Sequence, residues 1–258
     1  MESSTIEQTP FVKQLAANDR PTRDQALESL KTYLSGRHRP TRDQALESLK
    51  TYLSGRRSLP PLELLKLHKG LFYSLWLSDR PIPQQNLASS LASLLGVLPA
   101  ETLIPFLRAF WQTMAREWTH IDVLRMEKFL LLVRRYVGSS LTVLKEGGWE
   151  TERVQEVLDV YEEIPLSVGD VRVPMGLRFH VVDVWVDELE RVGLLEDVGV
   201  TGMVLEQVMA PLVKLREGSP TKIMRRKADD ALADERIPGN EKEVVKEDGG
   251  SEWAGFDD

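Results

Sequence analysis

Four histidines and the absence of cysteine set the limits of what chemistry this chain can do. His38, His68, His120 and His180 are the only imidazoles in 258 residues. None stands three or four residues from another, and no HExxH occurs, so local spacing builds no zinc site. Without cysteine there is no thiol nucleophile, disulfide or thiolate metal ligand. No P-loop, GxGxxG or GxSxG is present, so the sequence calls for no nucleotide cofactor and no serine nucleophile. One acid–base couple can still be drawn. His180 and Asp183 lie three residues apart on one helical pattern, and a hydrolase or transferase assembled from distant residues would have to use such a pair. The acids around it (Asp183, Asp187, Glu188, Glu190) read more simply as a solvated helix face.

The cations form a second constellation. Arg116, Arg125, Lys128, Arg134 and Arg135 punctuate the stretch from Trp111 to Tyr136, and Lys222, Arg225, Arg226 and Lys227 cluster near the carboxyl end. Clusters of this kind grip phosphates or an acidic partner, or else pair with neighbouring carboxylates. These nine residues are the candidate contacts for RNA or a protein partner. Ser219-Pro220 has the form of a proline-directed phosphorylation site. It is equally a helix cap followed by proline at the first helical position.

The formal charge is −7, but the last 22 residues, Ile237–Asp258, hold seven acids and two bases. The body is therefore nearly neutral and is not a polycation. Composition and lack of periodicity divide the chain into a body, residues 1–236, and an acidic tail, residues 237–258, read as disordered. No run of eighteen apolar residues supports a membrane span, and MESSTIEQTPF has no basic start followed by an apolar core. With no cysteine, this fits an intracellular protein.

Helices must position all these groups. Residues 20–37 read RPTRDQALESLKTYLSGR, and residues 39–56 repeat the same eighteen letters, with His38 between. Each copy is a helix cassette: proline sets the first turn, an apolar stripe comes next, and Ser-Gly stops it. The stripe is Ala26, Leu27, Leu30, Tyr33 and Leu34 in the first copy. In the second it is Ala45, Leu46, Leu49, Tyr52 and Leu53. Two readings compete, a helical repeat array and a young duplication of one helix. Identity without drift favours duplication, because repeat units normally share pattern rather than letters.

Around the cassettes the pattern predicts a short helix from Phe11 and others over residues 61–78, 82–97, 100–118 and 121–138, the last extending towards Gly147. Further helices are expected over 151–164, 175–192, 201–216 and 220–236. Pro165–Pro174 is the longest non-helical piece and the one candidate for extended structure. Short connections between amphipathic helices imply an all-α stack of antiparallel helix pairs, of the HEAT or armadillo kind.

Long ordered segments carry a family resemblance. They are FVKQLAANDRPTRDQALESLKTYL, LLKLHKGLFYSLWLSDRP (Leu64–Pro81), FWQTMAREWTHIDVLRMEKFLLLVRR (Phe110–Arg135) and VPMGLRFHVVDVWVDELE (Val173–Glu190). The chain resembles the eukaryotic nucleolar ribosomal RNA processing protein 1 family. The family pattern has one cassette, so the duplication is a departure. The first copy is in register with the Phe11 helix and the second with Leu59 onward. The resemblance implies a non-enzymatic factor of the nucleolus, acting on large-subunit ribosome precursors. Its partners would be other assembly factors and pre-ribosomal RNA, with no cofactor, no small-molecule substrate and no membrane. It offers no active-site residues to carry over. One cassette is expected to dock with the following Leu-rich helix through its Leu/Tyr stripe, and the other to be a poorly packed extra helix or an extended excursion.

Overall fold

The computed structural model describes residues 39–55, 58–196 and 201–240, with the isolated positions 21 and 25. The Phe11 helix, most of the first cassette and residues 241–258 lie outside the described residues. Among the described residues there are nine α-helices, two 3-10 turns and no strand. The helices are α1 (Arg39–Ser54), α2 (Pro61–Trp76), α3 (Pro81–Ala92), α4 (Ala100–Glu117), α5 (Val123–Glu146), α6 (Thr151–Glu163), α7 (Met175–Arg191), α8 (Thr201–Gly218) and α9 (Lys222–Leu232). The 3-10 turns, Ser93–Val97 and Trp118–His120, come directly after α3 and α4.

Each helix from α2 onward packs on its second neighbour. One layer is α2, α4, α6 and α8; the other is α3, α5, α7 and α9. Cross-contacts fix the direction. Along α5 and α7, Leu130 meets His180, Arg134 meets Glu188, and Lys145 meets Val192. Both numbers rise together, so the two helices run parallel. The same holds for α4 and α6, where Ala100 meets Arg153 and Arg108 meets Glu163. Successive helices are joined by short turns and therefore alternate in direction. This is a stack of antiparallel helix pairs, as the spacing of apolar stripes predicts.

An aromatic seam runs through the stack. His68 of α2 lies against Phe106 and Phe110 of α4, Trp111 against Tyr161 of α6, and Tyr161 against Trp185 of α7. Phe110 also stacks on Tyr136 of α5, centroids 3.5 Å apart and 2° from parallel. Every ring in this seam is buried. Fully buried aromatic side chains contribute more than any other residues to the apolar area removed from water.

Local chemistry sets the ends. α2 and α3 begin with proline in the first turn, where no N–H is missed. Asp122 caps α5 by accepting the Arg125 N–H at 3.1 Å. Helix α5 runs unbroken through Gly138 to Glu146, past the earlier of its two expected ends. At its carboxyl end Gly148 adopts φ +70°, and Trp149 N–H reaches back to the Leu144 carbonyl.

Three local expectations change. Residues 82–97 are not one helix. α3 stops at Ala92 and the chain tightens into the 3-10 turn, because Pro99 holds Leu98 extended at ψ 139° while Leu94 and Leu95 are drawn into the core. Pro165–Pro174 contains no strand; it is a series of turns with Leu166 and Val173 buried at its two ends. Beyond α9, Ile237 is buried and Asn240 Nδ2 donates to the Leu232 and Asp234 carbonyls, so packing continues past residue 236.

The second cassette forms α1. Ala45, Leu46, Leu49 and Leu53 of its stripe are buried, and Tyr52 packs partly against the core. The helix packs chiefly on the 3-10 turn Ser93–Val97 rather than on the following Leu-rich helix α2, because Leu94 and Leu95 fill the core there.

Candidate interaction surface

The nine candidate cations do not form one patch. Lys128 is buried, and its ammonium donates to the Trp76 carbonyl at 2.7 Å and the Ser78 carbonyl at 2.9 Å. It closes the carboxyl end of α2, where carbonyls lack helical partners. Burial lowers its pKa from the usual lysine value. Arg125 lies beside it, paired with Asp122, its guanidinium 5.0 Å over the Trp76 ring. Arg116 pairs with the adjacent Glu117 at 2.8 Å and remains half exposed.

Arg134 belongs to a charge network across α5 and α7. Its Nε donates to Glu188 Oε1 at 2.7 Å, and its Nη2 lies 3.3 Å from Asp187. Arg191 donates to the other oxygen of Glu188. Arg236 extends the network to Asp187, Glu190 and Asp234 at 2.7–3.0 Å. Glu188 has a side chain only 2% exposed, and two guanidiniums meet its charge there.

On α9, Arg225 donates to the Ser219 carbonyl at 2.7 Å and the Pro220 carbonyl at 3.2 Å, closing the turn after α8. Lys227 pairs with Asp183 of α7. Arg226 is exposed, 4.0 Å from Asp230. Arg135 and Lys222 are exposed, and neither has an ion-pair partner among the described residues. Arg135, Lys222 and Arg226 thus present charge outward from the layer of α3, α5, α7 and α9. Ser219 is only 3% exposed, so the Ser-Pro step is built into the turn.

The acid–base couple is separated by its other bonds. His180 Nε2 lies 2.8 Å from the Leu130 carbonyl, and burial lowers its pKa. Asp183 faces Lys227 instead. Buried His68 has its pKa lowered to about 3 by burial among the aromatic seam, so it is neutral at physiological pH. Among the described residues, no three His, Cys, Asp or Glu side chains are placed to hold a metal ion. None of the helices there is long and apolar enough to cross a membrane.

One surface feature has no counterpart in the charge pattern. Leu77, Ile82, Val123 and Leu124 are strongly exposed, the last at 93%. Lys128 ties the turn after α2 to α5 one helical turn beyond Leu124. The apolar stripe of α5 runs inward from Phe129. Sequence periodicity alone could not tell that the two residues starting the helix stay exposed. Arg108, Arg153, Arg172 and Lys214 are further surface cations outside the predicted clusters, each paired with an acid.

Several of these ion pairs join different helices, while others lie within one helix or turn. The family described as Nucleolar protein, Nop52 matches residues 6–40 and again residues 34–254. The chain belongs to this family. Its relatives include ribosomal RNA processing protein 1 homolog A of Mus musculus, 37% identical over 187 residues, 72% of this chain and 35% of the mouse protein. Homolog A of Homo sapiens is 38% identical over 184 residues, 71% of this chain and 37% of the human protein. The homolog of Caenorhabditis elegans is 30% identical over 206 residues, 80% of this chain and 46% of the nematode protein. The chain spans about a third of the length of these mammalian relatives. The Nop52 match covers every described helix and takes in the cassette twice, once in each segment.

Proposed function

We propose that this chain is a non-enzymatic scaffold of the nucleolus that works in ribosomal RNA processing, on precursors of the large ribosomal subunit. It binds other assembly factors and pre-ribosomal RNA there. The observation that carries this reading is the family match across the whole helical stack. The use of Lys128, Arg134 and Lys227 to join one helix to another supports the scaffold reading. The outward cations Arg135, Lys222 and Arg226 supply phosphate contacts, whereas Lys128, Arg134, Arg225 and Lys227 maintain the stack.

The test is co-sedimentation of the tagged full chain with large-subunit precursors from nucleolar extract, beside an Arg135→Glu/Lys222→Glu/Arg226→Glu variant. The parent chain is expected in the precursor fractions and the variant largely in the free fractions. Absence of the parent chain from precursor fractions overturns the scaffold reading. A variant that sediments like the parent removes the three cations from the RNA contact and leaves the scaffold reading standing.

A further inference from the structure

The described residues show a seat at the amino-terminal end of the stack, and the sequence holds twice the eighteen residues of the cassette that fills it. In the structure the seat is filled by α1. Ala45, Leu46, Leu49 and Leu53 are between 0 and 4% exposed. They lie in the helix that packs on the 3-10 turn Ser93–Val97, whose Leu94 and Leu95 are as deeply buried. Nineteen residues earlier stand Ala26, Leu27, Leu30 and Leu34 in the same frame, between the same proline and the same Ser-Gly stop. The two Nop52 matches meet at this point, overlapping over residues 34–40. The first, residues 6–40, contains copy one together with the chain before it. The second, residues 34–254, contains copy two together with the chain after it. Each copy is thus in family register with one side of the chain only.

We propose that the seat accepts either copy, so that the chain interconverts between two docking registers nineteen residues apart. The apolar contacts at the seat are the same in both, because the eighteen residues are the same. The registers differ in connecting chain. With copy two seated, the link to α2 is residues 55–60. With copy one seated, the link is residues 36–60, about four times longer. The weight of a closed loop falls as about the 3/2 power of its length, so the longer link costs about eightfold in population. Copy two therefore holds the seat in about nine molecules of ten and copy one in the remainder, before any contribution from residues upstream of copy one. A partner that binds the copy-one register about a hundredfold more tightly makes it the dominant form. The duplication thus gives the end of the scaffold a two-register switch.

Hydrogen exchange on the full chain tests this, with peptides assigned through the unlike flanks Asn18-Asp19 and Arg57-Ser58. In the parent chain, amides of residues 39–54 should be protected only about tenfold, because each register change releases them, while α4 exchanges by global unfolding. In Leu46→Asp/Leu49→Asp, protection should move to residues 20–37 and the folding constant should fall by about tenfold. Leu27→Asp/Leu30→Asp should keep the parent stability and raise the protection of residues 39–54. The quadruple variant should lose protection in both copies and fall at least a further tenfold. The proposal is overturned if Leu46→Asp/Leu49→Asp behaves like the quadruple variant, or if protection never reaches residues 20–37. These readouts report folding alone, so they stand or fall separately from association with ribosome precursors.

Discussion

The carboxylate of Glu188 occupies the space a side chain on Gly138 would need. A Cβ at Gly138 would overlap Glu188 Oε2 and Arg191 Nη2, so α5 approaches α7 through a glycine at the point where two arginines meet one buried acid. Gly70 is the opposite case, with nothing within 4 Å of its missing Cβ. Gly138→Ala should destabilise the fold by about 1–3 kcal/mol through overpacking and displacement of the ion pairs. Gly70→Ala, inside α2, should stabilise it by about 0.5–1 kcal/mol. Urea denaturation of the two variants checks both signs, and equal effects would remove the steric explanation.

Adjacent arginines on α9 should behave differently. Arg225 satisfies two carbonyls after α8, whereas Arg226 stands in solvent. Arg225→Ala should cost about 1–2 kcal/mol, from the lost charge-assisted bonds and the carbonyls left unpaired. Arg226→Ala should stay within about 0.5 kcal/mol of the parent. In the co-sedimentation assay only Arg226→Ala should weaken association at unchanged stability.

Lys128 should act as a structural residue despite its charge. Lys128→Ala removes the donor that bridges the Trp76 and Ser78 carbonyls and should cost about 2 kcal/mol. Lys128→Arg should recover little, since a planar guanidinium cannot replace a compact ammonium in that buried corner. Thermal unfolding of the two variants provides the measurement, and an unchanged Tm for Lys128→Ala would contradict it.

His68 should make stability fall in acid. Its folded pKa is lowered to about 3, below the ordinary histidine value near 6.5, so the native state keeps the ring neutral while the unfolded chain takes up a proton. The stability tied to the neutral ring is fully present above about pH 6.5 and is lost as pH falls from there towards 3. Between pH 7 and pH 5 this group should account for about 2 kcal/mol of lost stability. In His68→Phe the pH dependence over that window should be flatter by about this amount, whatever the variant's absolute stability. An unaltered slope would show that His68 is already protonated in the folded state.

Much of the fold was legible because it rests on local rules. Proline at helix starts, glycine at stops and apolar stripes placed eight helix starts within about two residues, and the antiparallel pairing came from the short turns between them. The break after Ala92 was not legible. It depends on Leu94 and Leu95 both finding core space, which no periodicity states. The candidate site was less legible than the fold. Nine cations had the same standing in the sequence, yet Lys128 and Arg225 hold carbonyls, Arg134 and Lys227 hold acids on α7, and Arg135, Lys222 and Arg226 reach solvent. The partners lie about 50 residues away in the chain for Lys128, Arg134 and Lys227, so no local pattern could have sorted them.

By itself the sequence determined an all-α chain with a duplicated cassette, no linked catalytic motif and the segments that mark its family. These depend on residue type and spacing, which act over one or two helical turns. The tertiary structure decided which cations are spent inside the stack, that a side chain on Gly138 would displace Glu188 and Arg191, and that the seat under α1 holds a single cassette stripe. Those outcomes depend on distances between helices far apart in the chain, which the packed core alone sets.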